Sequence, residues 1–139
     1  MEKTVKITSK KIDTVLDLQT LNLDEQHAEL NGRLFSRHKN PDGTIGGFVE
    51  KTAKVADTAY IGPNALVSGD ALVSGDALVD GDAWISGHAR VYGDALLFSN
   101  ARVYGDAQVA DKAWVYGNAR VYGNAQVSGD AWVSGHAWV

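Results

Sequence analysis

From Ala53 onward the chain is written in units of six. Alanine stands at 53, 59, 65, 71, 77, 83, 89, 95, 101, 107, 113, 119, 125, 131 and 137, without a slip. Two residues after each stands an aliphatic, from Val55 and Ile61 through Val133 and Val139. Two further on the residue is usually Gly, followed by Asp, Asn or His, so the unit reads A-x-V-x-G-[DN]. Fifteen consecutive matches exclude chance, and a fixed internal period decides the architecture before any single residue does.

Within A-x-V-x the Ala and Val point to one side of an extended chain and the two variable residues to the other. The following Gly-Asp or Gly-Asn is a corner, because Gly adopts positive φ freely and Asn and Asp tolerate it best among the rest. A succession of short strands and corners buries its Ala/Val side only by closing on itself. A strict six-residue period with Gly in nearly every unit fits no helix. A sandwich would not give all its strands one length and one turn. The pattern therefore predicts an all-β coil over residues 47–139, preceded by a non-repeating segment, 1–46.

That first segment is read as β-rich. Thr4–Ile7 and Thr14–Gln19 are expected as short strands, and Asn31-Gly32 between Ala-Glu-Leu and Arg-Leu-Phe is a hairpin signal. Asn40-Pro-Asp-Gly43 is a turn, and a helix over Asp24–Asn31 would be too short to change the picture. A solenoid end exposes an unpaired edge, so the segment is expected to cap the first coil, with a separate binding module as the rival. At the other end Val139 falls in the middle of a hexad, beside Trp138. That edge is expected to stack on another copy or lie under a neighbouring protein, unless it marks a truncation.

The run Val67-Ser-Gly-Asp-Ala71, an aliphatic with a small residue four later, resembles the hexapeptide-repeat, left-handed β-helix family. The resemblance implies a single-stranded, left-handed parallel β-helix, triangular in section, with about 18 residues per coil and about five coils. Its handedness opposes the usual right-handed crossover and comes from the family alone. The strings Ala-Arg-Val-Tyr-Gly-Asp and Gly-Gly-Phe-Val-Glu-Lys look like a bacterial and phage subgroup labelled acyltransferase-like.

Stacking every third hexad gives three unlike outer faces. The first carries Tyr60, Leu78, Leu96, Phe98, Trp114, Tyr116 and Trp132. The second carries Leu66, Trp84, Arg102, Tyr104, Arg120, Tyr122 and Trp138. The third, with Lys54, Leu72, Arg90, Tyr92, Gln108 and Gln126, is the most polar. A contiguous aromatic patch marks an interface. Members of the family are commonly trimers packed along their rods, so the first face is expected to bind other copies of the chain. Cross-strand stacking alone explains the tyrosines of the second face, where Arg102 and Arg120 can also lie on rings.

Composition fits a thin rod. Apolar residues make up 45% of the chain but are mostly Ala and Val, with one Met and three Phe, so the core must be narrow. The net charge of −4 lies wholly in the repeat: residues 1–46 hold seven Lys/Arg and seven Asp/Glu, residues 47–139 six and ten. Without a basic patch, nucleic acid is not an expected partner. There is no cysteine for disulfides or thiolate metal sites. No apolar leader follows Met1 and no apolar run is long enough to span a bilayer, so no membrane contact and a cytoplasmic location are expected.

Chemistry is sparse. The resemblance implies, for an acyltransferase, a catalytic His near a subunit interface and a loop thrown out of the coil to hold the acceptor. His88 and His136 are the candidates within the repeat, yet both fill the corner slot otherwise held by Asp or Asn, where a solvated turn residue is expected. No insertion interrupts the hexads from Ala53 to Val139. Asp76, Asp94 and Asp130 share one corner, interrupted by Lys112, and Asp70 and Asp106 share another with His88 and Asn124. Stacked carboxylates could hold Ca²⁺. Asp is already expected at such turns, however, and the Gly-Gly-x-Gly-x-Asp nonapeptide of calcium β-rolls is absent, so no metal is expected. The favoured reading is a non-catalytic scaffold that self-associates through its aromatic face and uses no cofactor. The alternative is an acetyl-CoA-dependent acyltransferase with its site between subunits and His88 or His136 as general base.

Overall fold

In each hexad the residue after Ala and the aliphatic that follows form a two-residue rung, such as Trp84–Ile85 or Arg102–Val103. From Ile61 to Val127 the aliphatic is buried and its neighbour, Leu66 apart, lies on the outer side, as an alternating chain requires. Each rung from Lys54–Val55 to Trp114–Val115 pairs in parallel with the one three hexads on, so Leu66, Trp84, Arg102 and Arg120 stand in register. The result is a β-solenoid, seen in the computed structural model over the described residues, 10–139. Its rungs form three parallel sheets that correspond to the three faces. Backbone bonds run from coil to coil: Leu66 donates to Ala83, Trp84 to Ala101 and Arg102 to Ala119, at 2.9–3.0 Å. The alanines and aliphatics from Ala59 to Val121 merge into one continuous buried column.

The corners stack as tightly as the rungs. Gly87 has a φ of +66°, and a Cβ there would lie 2.9 Å from the Gly105 nitrogen. Two non-glycine corner residues hold the same positive φ, Ser99 at +59° and Asp111 at +60°. Asp111 compensates locally, its carboxylate accepting the Gly129 N–H at 2.9 Å. From Asp70 on, corner N–H groups donate to the carbonyl of the next coil, as His88 does to Gly105 at 2.8 Å. In the first turn the Thr52 and Thr58 hydroxyls take over that role, donating to Gly69 and Gly75.

Residues 10–50 depart from expectation in two ways, and the expected strand at Thr4–Ile7 lies outside the described residues. The stretch expected as a strand over Thr14–Gln19 is a helix, α1 (Val15–Thr20). Thr14 caps it, its hydroxyl accepting the Asp17 N–H at 3.1 Å, and Asp17 sits in the first turn where negative charge is favoured. Alternating apolar positions suit a strand as well as one helical turn. The cap decides.

The second departure concerns where the segment lies. Strand β1 (Lys10–Ile12) pairs in parallel with β2 (His27–Leu30), which turns at Asn31-Gly32 into β3 (Arg33–Lys39). Both turn residues have positive φ, as the Asn-Gly signal requires. Strand β4 (Ile45–Glu50) runs antiparallel to β3 and parallel to Leu66–Val67. One eight-stranded sheet therefore runs from β1 through the second face. Rather than sitting only over the end of the first coil, the segment also lies along one side. Leu18, Ala28, Leu30, Phe35 and Phe48 form a second core that buries Leu66, a residue that the hexad pattern and an 18-residue coil place on the exposed second face. Trp84 lies at the margin of that cover, its indole N–H donating to the Ser68 hydroxyl at 2.8 Å.

Arg37 binds these parts together. Its guanidinium donates to the carbonyls of Leu21, Asn22, Glu25, Gly46 and Pro63 at 2.8–3.3 Å and lies 4.2 Å from the Phe48 ring centroid. Burial lowers its pKa, but an arginine stays charged, so the five carbonyl dipoles take the place of a counter-ion.

Candidate interaction surface

The first face is the most apolar part of the rod. Parallel pairing sets Tyr60, Leu78, Leu96, Trp114 and Trp132 on successive rungs of one column. The Trp114 and Trp132 rings stack at 4.8 Å and 4°. Beside them Phe98 and Tyr116 stack at 4.9 Å, parallel, and Phe98 meets Trp114 edge-on. Five of the seven residues named for this face from the repeat thus fall on one sheet, and Phe98 and Tyr116 directly follow its rungs. Most are half-buried by their neighbours, and Trp132 is 63% exposed. Asp80 borders the column where the aromatic pair ends.

The second face is mixed. Beyond Trp84 its rungs carry Arg102 and Arg120, and Trp138 joins through a single bridge to Arg120. Arg102 lies 5.2 Å from the Trp84 ring centroid and Arg120 5.1 Å from that of Trp138. Tyr104 and Tyr122 stack alongside at 5.4 Å. The third face stacks Lys54, Leu72, Arg90, Gln108 and Gln126.

The two repeat histidines stand on different corners. His88 is stacked over Asp70, Nδ1 to Oδ2 3.7 Å, with both side chains well exposed. His136 is an exposed corner residue that continues the column of Asn100 and Asn118, whose side chains bond at 3.1 Å. His38, outside the repeat, donates from Nε2 to the Ala59 carbonyl at 2.9 Å. Among the described residues no three His, Cys, Asp or Glu side chains converge in a way that could hold a metal ion. No helix of the described residues is long and apolar enough to cross a membrane.

Two features escape a reading by period. One is the Arg37 hub, a lone arginine in a polar strand with no neighbouring pattern to mark it. The other is a pair of hollows on the second face. One is walled by α1 and lined by Leu16, Gln19, Asp82, Trp84 and Arg102, and the next is lined by Trp84, Ser86, Arg102, Tyr104 and Arg120. The uninterrupted hexads throw out no loop that could wall a hollow. Gln19 of α1, donating to the Asp82 carbonyl at 3.1 Å, supplies the wall instead.

No curated protein matches the chain. No solved structure matches it either. Over residues 113–129, which span one rung of each face from Trp114 to Val127, it is similar to the YdcK beta-solenoid repeat, a finding in keeping with the parallel coils: this is a β-solenoid repeat protein.

Proposed function

We propose that the protein is a non-catalytic β-solenoid scaffold that assembles with copies of itself through the first face. The carrying observation is the unbroken column Tyr60–Leu78–Leu96–Trp114–Trp132 with the Phe98–Tyr116 stack beside it. Stacking within one rod uses ring faces along the axis and leaves the outer edges of those side chains to water. A second rod has the same rung spacing, so its side chains fit between these without loss of register, and burying apolar area yields about 25 cal/mol per Å². A trimer packed along the rods is the assembly this reading favours, with the polar third face left for solvent or another protein. The position of His88 and His136, on separate exposed corners, accords with turn residues rather than with a general base held in a cleft.

Light scattering coupled to gel filtration should give a multiple of 14.9 kDa at micromolar concentration. Leu96→Glu combined with Trp114→Glu should dissociate the assembly and leave the β circular-dichroism signal intact. A monomeric wild-type chain would sink the reading.

A further inference from the structure

The open half of the second face carries an arrangement that self-association does not use. Along one column the residues run Trp84, Arg102, Arg120, Trp138 on successive rungs. Neighbouring rungs are about 4.8 Å apart, and like charges directly opposite each other in a sheet are unfavourable. Each guanidinium lies over a ring on the rung beyond it, Arg102 at 5.2 Å from the Trp84 centroid and Arg120 at 5.1 Å from that of Trp138, and both line one hollow. Among the described residues neither forms an ion pair, and Asp82, which lines the adjoining hollow with Arg102, is not paired with it.

The hollow bounded by Trp84, Ser86, Arg102, Tyr104 and Arg120 thus has two cations on its wall and hydroxyls beside them. A guanidinium already lies over each indole, and Tyr104 and Tyr122 are stacked on each other. What is turned outward is a set of N–H and O–H donors rather than free aromatic faces, which favours an oxyanion over a stacked base. The repeat as a whole is acidic, which opposes a long polyanion and favours one small group. We propose that Arg102 and Arg120 together bind a phosphate group, as the free ion or as the monoester of a small molecule. Such a group carries about −1.5 to −2 charges at neutral pH, enough for two guanidinium ions, whereas a carboxylate is satisfied by a single fork.

Calorimetric titration of the full chain at low salt, with inorganic phosphate and with glycerol phosphate as probes and acetate as control, tests this. One saturable site is expected, weakened at least about tenfold by Arg102→Gln or by Arg120→Gln, since hydrogen bonds to charged groups are the strong ones. Arg90→Gln, on the third face, should leave it unchanged. Tighter binding of glycerol phosphate assigns the site to an ester and tighter binding of inorganic phosphate to the free ion, and either upholds it. In the unsubstituted chain the guanidinium nitrogen resonances of Arg102 and Arg120 should shift during the titration, a readout independent of how the variants fold. Absence of saturable binding, acetate binding as well as phosphate, unchanged affinity in both Gln variants, or unmoved resonances would each overturn the proposal.

Discussion

The side-chain amide of Asn40 stands beside Ile61 in place of a missing rung. Its Oδ1 accepts the Ile61 N–H at 2.8 Å and its Nδ2 donates to the Ile61 carbonyl at 3.1 Å, the two bonds a preceding strand would make. The second amide hydrogen reaches the Thr44 hydroxyl at 3.1 Å, and Asn40 is buried. With His38 on the Ala59 carbonyl, two side chains close the first edge of the aromatic face. The Asn40–Gly43 turn that positions them was visible in sequence, but this use of it was not.

Asn40→Ala should therefore cost about 1–3 kcal/mol, the penalty for leaving buried backbone groups unpaired. Asn40→Asp keeps an acceptor for the Ile61 N–H but sets a carboxylate against the Ile61 carbonyl, so it should also destabilise. Urea unfolding followed by circular dichroism measures both. If Asn40→Ala lies within experimental error of wild type, the edge is closed by something other than this amide.

The core makes a sharper test of register. Ala101 and Val103 are fully buried while Arg102 between them faces out. Ala101→Phe forces a large ring into a column with no slack and should destabilise by about 1–3 kcal/mol or more. Arg102→Ala removes a surface cation over Trp84 and should cost about 0.5–1 kcal/mol or less. The reverse order of effects in thermal unfolding would mean that the inward set is displaced by one residue.

How much of this was legible follows from what each part depends on. Ala101 and Val103 could be placed in the core from the period alone, because every sixth residue obeys the same alternation. The faces needed one thing more, the coil of three hexads that the family resemblance implied, and that set Trp114 over Trp132. Handedness did not follow, since alternation and corners read the same in either hand. The N-terminal segment resisted for a different reason. Val15–Thr20 offers too few residues to separate a strand from one turn of helix, and the Thr14 cap that separates them is a single hydroxyl. Leu66 was misjudged as exposed because the cluster that covers it draws Leu18, Leu30 and Phe35 from outside the repeat. Arg37 could not be found at all, since its partners are main-chain carbonyls that leave no mark on composition.

Catalysis offers a prediction of no effect. Acetyl-CoA at millimolar concentration should produce no thermal shift and no hydrolysis, and His88→Ala and His136→Ala should leave the fold and assembly unchanged. The Asp70–His88 contact is exposed at 3.7 Å and contributes little to stability. A saturable acetyl-CoA complex that disappears in either variant would instead promote an acyltransferase with its site between subunits.

The acid dependence of stability should centre on Glu50. Its carboxylate accepts from Arg33, Nε at 2.9 Å and Nη2 as a second bond, and from the Gly69 N–H at 2.8 Å, tying the first corner to both β3 and the next coil. The Arg33 hydrogen bonds hold Glu50 below the usual carboxylate range, with the Gly69 bond and the Arg33 charge adding to the effect and burial opposing it. Because the folded pKa lies below the unfolded one, about 4.3 for glutamate, the unfolded chain binds more protons between the two values. The stabilisation is therefore complete above the unfolded pKa and is lost as pH falls through the folded one. Asp42, depressed by its hydrogen bonds to Thr44, acts in the same direction from an exposed turn, so Asp42→Asn is the necessary control. Glu50→Gln should be less stable than wild type at neutral pH by about 1–3 kcal/mol, as for removing the charge from a hydrogen-bonded pair. The two proteins should converge in acid, where the wild-type carboxyl is itself protonated. Urea midpoints measured from neutral pH down into that range decide it, and a difference that persists undiminished in acid would assign the effect of Glu50→Gln to packing rather than to charge.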